Sequence, residues 1–265
     1  MLDPALAGMG ALVTGAASGI GQSIAVALAN EGVRVRIADI LPADQTLQMI
    51  ASRGASASAD HVDLRQESAV EQMAERAIAE LGGLDIFVHS VGRFAAAPVT
   101  EISAGLWQDL FAANVTSCVH ACRPIGRHMI GRQHGAILLI GSTVVCAPSY
   151  EGGAYRASKT ALHSYMQTLA IELAPFGIRV NMLTPGPFPT RLVEHLPDEQ
   201  RAAAAKEVPL GQREGSLDEV RATALFLLSG QLASFITGTE VFVDGGLHLR
   251  PLFIGPAAVV QTLNT

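Results

Sequence analysis

The feature that most constrains this chain is an alternation kept from end to end. Short apolar runs of strand length are each followed by a longer stretch with apolar residues at helical spacing. The pattern predicts strands over residues 11–14, 33–38, 57–62, 85–89, 136–140, 179–183 and 239–243, the third being the weakest. It predicts helices over residues 19–30, 43–53, 67–81, 155–174 and 217–229, with one or two more between 103 and 130. A polar, proline-bearing segment, 185–215, interrupts the alternation. Repeated strand–helix units close by right-handed crossovers into a mostly parallel sheet with helices on both faces, an α/β doubly wound fold. No repeat, low-complexity tract or linker divides the chain, so residues 1–246 are expected to form a single domain and 247–265 an extension.

Composition narrows the function. Hydrophobic residues make up 49% of the chain but aromatics only 5%, so Ala, Gly, Val, Ile and Leu fill the space between helices and sheet. A net charge of -6 without any Lys/Arg block argues against nucleic acid or an anionic membrane as partner. The apolar runs break well short of the ~20 residues that a bilayer requires. The first ten residues lack the basic start of a signal peptide, and Cys118, Cys122 and Cys146 make no sensible disulfide framework. A reducing cytoplasm is the expected location. Cys118 and Cys122 would share a helix face while His120 points elsewhere, so these three are read as packing residues and no metal is expected.

In a sheet of this kind, ligands bind beyond the carboxyl ends of the strands near the switch in strand order. The first strand runs into Thr14-Gly15-Ala16-Ala17-Ser18-Gly19-Ile20-Gly21 and directly into a helix. Small residues there let the backbone approach a pyrophosphate, and the helix start offers free N–H groups to its charge. Asp39 ends the second strand, 18 residues after Gly21. A carboxylate at that place can accept both hydroxyls of an adenosine ribose and repels a 2′-phosphate, which selects NAD over NADP. Arg36 lies within the strand, and neither Ser18 nor Ile40 is basic.

Tyr155 and Lys159 are four apart at the start of a long helix and share a face. A free phenol has a pKa near 10, too high for efficient proton exchange at neutral pH, and a neighbouring ammonium would lower it. Only two of the 18 basic residues are lysines, so Lys at this position is a compositional exception. Ser142 follows the fifth strand at the same sheet edge, where its hydroxyl can polarise a substrate carbonyl. Asn114 falls in a predicted helix, where its amide could bind a water connecting Lys159 to solvent.

The glycine pattern, Asn114, Ser142 and Tyr155-x-x-x-Lys159, in this order and spacing, resemble the short-chain dehydrogenase/reductase family, with its Rossmann-type sheet. The likeness runs from about residue 8 to 246. By resemblance, Tyr155 is the general acid/base, Lys159 binds ribose and lowers the tyrosine's pKa, Ser142 orients the substrate oxygen and Asn114 completes a proton relay. Asp63-Leu64 is similar to the pair that contacts adenine. Ser90 and Gly92 belong to the segment lining the adenosine ribose. Asn181 with Pro185, Gly186, Phe188 and Thr190 is similar to the segment over the nicotinamide, and Asp244-Gly245-Gly246 to the family ending. The implied activity is hydride transfer between NAD(H) and a secondary alcohol or ketone, by a homotetramer whose long helices near Asn114 and Tyr155 form the interface.

The chain departs from the family in three places. Asn-Asn-Ala-Gly is replaced by His89-Ser90-Val91-Gly92, which reads either as tolerated variation or as weakened cofactor binding. The nicotinamide segment carries extra proline, which stiffens it. The apolar extension 247–265 is expected to pack on a neighbouring subunit. The substrate wall is expected from Arg93, Phe94, Val144, Cys146, Tyr150, Phe188 and residues 192–210, a mainly apolar set. Arg93 or Arg191 would meet an acidic substrate group or would simply be solvated. Two other classes stay open: a cofactor-binding scaffold without turnover, and an epimerase or dehydratase of related fold.

Overall fold

The computed structural model describes residues 4–146, 148–194 and 196–249. Seven strands form a single sheet: β1 (Gly10–Thr14), β2 (Arg34–Asp39), β3 (Ala57–His61), β4 (Ile86–His89), β5 (Gly135–Ile140), β6 (Ile178–Pro185) and β7 (Glu240–Val243). Their order is β3-β2-β1-β4-β5-β6-β7 and every pairing is parallel. The order reverses at β1, which pairs with β2 on one side and β4 on the other, so a crevice opens at the carboxyl ends of β1 and β4.

The helices are α1 (Gly19–Asn30), α2 (Asp44–Ala51), α3 (Glu67–Leu81), α4 (Ala104–Phe111), α5 (Ser117–Arg132), α6 (Gly153–Leu173), α7 (Asp198–Lys206) and α8 (Leu217–Leu228). Successive strand residues point to opposite faces, and both faces are covered. Ile86, Val88, Leu138 and Ile140 join Ile24 and Leu28 of α1 and Val220 of α8 on one side. Phe87, Ile137 and Leu139 join Met73 of α3, Ile125 of α5 and Met166 of α6 on the other. Burial on both faces is why β1, β4 and β5 read as continuous apolar runs rather than alternating ones. β3 is an edge strand with no fully buried residue, which explains its weak sequence signal and protects the edge with polar side chains.

One expectation gains detail and one changes. The stretch 103–130 holds α4 and α5 joined by a π-helical turn, Ala112–Thr116, with Asn114 inside that turn. The polar segment 185–215 holds α7, which buries none of its residues. That helix has no apolar stripe for periodicity to find. It is favoured instead by an alanine run, by Asp198 and Glu199 in its first turn and by Lys206 in its last. Leu247–Leu249 form a 3₁₀ turn, and the rest of the expected subunit-packing extension lies outside the described residues.

Arg36 projects from β2 into an ion cluster in which Arg36 and Asp60 are nearly dry while Glu80 and Arg76 are about half exposed. Its Nε donates to Asp60 on β3 at 2.8 Å, and its Nη1 donates to Ser58 and pairs with Glu80 of α3. Arg76 reaches Asp60 at 3.1 Å from the other side. Burial alone would raise the Asp60 pKa, but Arg36 and Arg76 outweigh it and hold the carboxyl below the usual range. The cluster ties the edge strand to α3, away from the cofactor crevice. Arg36→Ala should cost about 1–2 kcal/mol in urea unfolding, because it removes the better-buried of two partners from a largely buried carboxylate and leaves Arg76 in place. The stabilisation from Asp60 is present above its unfolded pKa of 3.8 and is lost as pH falls through the lower folded value. The deficit of the variant should therefore shrink in acid.

Candidate active site

A cleft of about 560 Å³ runs along the carboxyl edge of the sheet, from Asp39 and Asp63 at one end to Ser142 and Tyr155 at the other. Its size lies within the ~300–1,000 Å³ of small-molecule sites. A second cavity of about the same volume lies at the amino ends of β4–β6. Volume does not choose between them; chemistry does. Arg179 in the second cavity donates to the carbonyls of Leu227, Leu228 and Ser229, where it caps α8.

The turn after β1 is built for close approach. Gly15 has φ +69°, and a Cβ there would stand 2.6 Å from the Ser90 backbone. A Cβ on Gly21 would stand 2.2 Å from the Gly15 carbonyl oxygen, so this glycine seats α1 on the turn rather than facing the cleft. Ser18, Gly19 and Ile20 do line it, and Ser18 makes no side-chain cap, which leaves the first N–H groups of α1 to an outside acceptor. Those features fit a pyrophosphate. Asp39 is buried at the end of β2, where its Oδ2 accepts from Ala17 N at 2.8 Å and its Oδ1 from Leu41 N at 2.9 Å. Each oxygen keeps acceptor capacity for a ribose hydroxyl. Leu64 and Ser90 also line the cleft, and Gly92 lines it beside Lys159, where a Cβ would stand 3.5 Å from Nζ. Asp63 is gripped by Arg65, through Nε to Oδ1 at 2.9 Å and Nη2 to Oδ2 at 2.8 Å.

At the other end, α6 presents Tyr155 in its first turn and Lys159 in its second. The Tyr155 ring is buried and meets Phe94 edge-on, centroids 5.1 Å apart. Burial pushes its phenol above the ordinary value, and the Ser142 hydroxyl pulls it partly back. Desolvation is the larger of these two effects. The Lys159 ammonium donates to the Ile140 carbonyl at 3.1 Å, and its other N–H groups are left for the cleft. Burial pushes its own pKa down to about 8, so it remains mostly charged at neutral pH.

Asn114 is fully buried behind the lining. Its Nδ2 donates to Arg93 O at 3.0 Å and to Ser158 Oγ at 2.8 Å, while its Oδ1 accepts from Arg93 N at 2.7 Å. Both amide hydrogens are thus committed to protein, so the side chain pins the Arg93 loop to α6 and has no N–H left for a relay water. Pro185, Phe188 and Thr190 line the cleft, whereas Gly186 packs behind it, where a Cβ would stand 2.8 Å from Asp244 Cα. Val144 packs against the small cluster of Leu110, Ala154 and Tyr155, but Tyr150 is fully exposed and leaves the expected wall.

His89 is also buried. Its Nδ1 lies 3.0 Å from Thr14 Oγ1 and its Nε2 3.3 Å from Ser117 Oγ, bridging β1 to α5. Burial, with Lys159 adding, pushes its pKa down to about 3, so the imidazole is neutral. Sequence reasoning missed Leu41, Val62, Arg65, Ala113, Ile140 and Gly141 in the lining and Arg156 behind it. Arg65, two residues beyond a flagged carboxylate, was the one with a local signal.

Comparison with known proteins agrees with this geometry. A family model described as enoyl-(acyl carrier protein) reductase matches residues 15–248. The 3beta-hydroxysteroid dehydrogenase 1 of Eggerthella lenta is 34% identical over 254 residues, covering 94% of this chain and 97% of that protein. A short-chain type dehydrogenase/reductase from Mycobacterium marinum superimposes with a TM-score of 0.88 at 31% identity, over 93% of this chain and 97% of its own. An NAD+-bound xylitol dehydrogenase superimposes with a TM-score of 0.84 at 26% identity, over 91% and 99%. With sheet order, glycine turn and the Ser142, Tyr155 and Lys159 constellation on one cleft, and relatives aligned along nearly the whole fold, the chain belongs to the short-chain dehydrogenase/reductase family of nicotinamide-dependent oxidoreductases.

Proposed function

We propose that this protein moves hydride between NAD(H) and a secondary alcohol or its ketone, with Tyr155 as general acid/base. The observation that carries the reading is one continuous cleft holding Asp39 at the adenosine end and Ser142, Tyr155 and Lys159 at the other. Gly15, Ser18, Gly19 and Ile20, backed by Gly21, would hold the pyrophosphate. Asp39 would take the ribose hydroxyls; Asp63, Leu64, Ser90 and Gly92 would flank the adenosine. Pro185, Phe188 and Thr190, with Gly186 behind them, would cover the nicotinamide. The bound cofactor supplies or accepts the hydride.

The protein's own part is positioning and proton transfer. Ser142 Oγ donates to the substrate oxygen and fixes its distance from Tyr155. In reduction the Tyr155 phenol gives its proton to that oxygen, and in oxidation it takes one. Lys159 keeps a positive charge beside the developing phenolate and offers N–H groups to ribose. Asn114 holds the Arg93 loop against α6 so that Tyr155 keeps its place. Phe94 and Phe188 line the chemical end and Val144 packs near it, an apolar surface suited to an alcohol or ketone, while Arg93 and Arg191 also face the cleft. The assembly proposed with this activity is a cytoplasmic homotetramer. The exposed Ile171 on α6 and Trp107 on α4 support burial of those helices between subunits.

Tyr155→Phe should lose about a thousandfold in kcat, within the usual range for a general acid/base, while NADH titration by fluorescence shows unchanged affinity. Wild-type turnover would remove Tyr155 from the chemistry, and loss of NADH binding would point to a structural defect. Asp39→Ala should narrow the NAD over NADP preference by about tenfold or more, as expected for lost charge-assisted hydrogen bonds. An unchanged ratio in initial-rate assays would move the discrimination elsewhere. For ketone reduction, kcat/KM for NADH should be level to about pH 8 and fall above it, because Lys159 loses its charge there. Tyr155, raised by burial, keeps its proton through that range. Lys159→Met should abolish this limb of the profile.

A further inference from the structure

Arg156 follows Tyr155 on α6 and is half-buried. Its guanidinium reaches back across the cleft wall, donating from Nε to the Val144 carbonyl at 3.0 Å and from Nη2 to the Val145 carbonyl at 3.1 Å. Those carbonyls end the 3₁₀ turn Thr143–Val145, which begins immediately after Ser142. Ser142 itself is the N-cap of this turn, its Oγ accepting from Val144 N at a loose 3.4 Å. One short turn is therefore held at its start by Ser142 and at its end by Arg156. The carbonyls at the end of such a turn lack partners of their own, and a planar guanidinium fork can satisfy two at once. Among the described residues Arg156 forms no ion pair, so its charge is spent on this backbone grip.

We propose that Arg156 is a positioning residue for the reaction: by gripping the turn after Ser142, it sets the spacing between the Ser142 hydroxyl and the Tyr155 phenol. The inference rests on the roles proposed for Ser142 and Tyr155. The cap bond of Ser142 is long, so the turn rather than the cap decides where its hydroxyl points. Arg156 is covalently next to Tyr155, so its grip links the two reacting side chains through the shortest available path. A displacement of about 1 Å at a reacting group can cost on the order of a hundredfold in rate. Besides Tyr155, the ionisable groups facing this cleft are Asp39, Asp63, Arg65, Arg93, Lys159 and Arg191, and replacing Arg156 leaves all of them in place.

The test is a double-mutant cycle in the full-length enzyme, with alcohol oxidation followed as NADH absorbance across pH. Arg156→Met should lower kcat by roughly 10- to 100-fold, leave NADH affinity within about twofold, and move the Tyr155-controlled limb of the kcat profile to higher pH. That direction follows because the Ser142 hydroxyl holds the phenol down. In a Ser142→Ala background the same substitution should cause no further loss and no further shift, since the partner through which it acts is gone. Arg156→Lys keeps the charge but not the fork, and should recover only part of the rate. It carries the same test at smaller amplitude if the Met variant does not accumulate folded. Full recovery by Lys, or equal losses from Arg156→Met with and without Ser142, would show that the charge acts directly and would overturn the proposal. An impaired Ser142→Ala beside a fully active Arg156→Met would also overturn it, and leave the proposed function standing. Wild-type activity of Ser142→Ala would overturn the proposal and remove Ser142 from the proposed chemistry, while Tyr155→Phe decides the hydride-transfer reading itself.

Discussion

The backbone of Ser90 lies so close to position 15 that no side chain fits there: a Cβ on Gly15 would stand 2.6 Å from it. This approach brings the ends of β1 and β4 together at the switch in strand order and bends the chain into α1 with bare N–H groups facing outward. The same contact places Thr14 and His89 side by side beneath the turn, 3.0 Å apart. A crevice with peptide N–H groups on its floor is the result. It exists because two parallel strands that are far apart in sequence end at the same height.

Around that crevice burial is used twice, with opposite signs. It raises the phenol of Tyr155 and lowers the ammonium of Lys159 to about 8, so desolvation pushes both groups toward their neutral forms. A tyrosine raised in this way holds its proton until something stabilises the phenolate, and the Ser142 hydroxyl is one group that does so. Lys159 is anchored to the Ile140 carbonyl, at the end of the strand that leads to Ser142, so β5 positions both groups from one piece of backbone.

Much of the fold was legible because burial on both faces writes itself into local periodicity. The limits of α1 and α3 agree with their apolar spacing, and the weakest predicted strand is the edge strand. The helix α7 was not legible, since a solvated helix stabilised by alanine and end charges leaves no stripe. At the site, sequence order carried Ser142, Tyr155 and Lys159 to one wall. It did not separate residues that line the cleft from those that hold the lining. Gly21, Gly186 and Asn114 belong to the second kind, and only three-dimensional proximity shows it. Tyr150 was assigned to the wall by its place in the chain, yet its side chain stands free in solvent. Contacts such as Arg156 with Val144, or Thr14 with His89, join residues 12 and 75 apart and have no periodic signature.

His89 shows how a substitution in a familiar motif can keep its mechanical part. Thr14 and Ser117 have one hydroxyl hydrogen each, and a neutral imidazole has one N–H. With the proton on Nε2, the ring donates to Ser117 Oγ at 3.3 Å, Ser117 donates to the Ala113 carbonyl at 2.6 Å, and Thr14 donates to Nδ1 at 3.0 Å. Only the longer Thr14 contact to the Val88 carbonyl, 3.3 Å, is forgone. The other tautomer donates from Nδ1 to Thr14, keeps the Thr14 contact to Val88 and the 2.6 Å pair, and forgoes only the 3.3 Å contact to Ser117, so either neutral form satisfies three of the four contacts. Protonation would satisfy every contact at once, but it would place a second cation in a dry interior beside Lys159, and burial keeps it from happening above about pH 3. A neutral His89 thus ties β1 to α5 and leaves the positive charge of this end of the cleft to Lys159, where the proposed chemistry needs it.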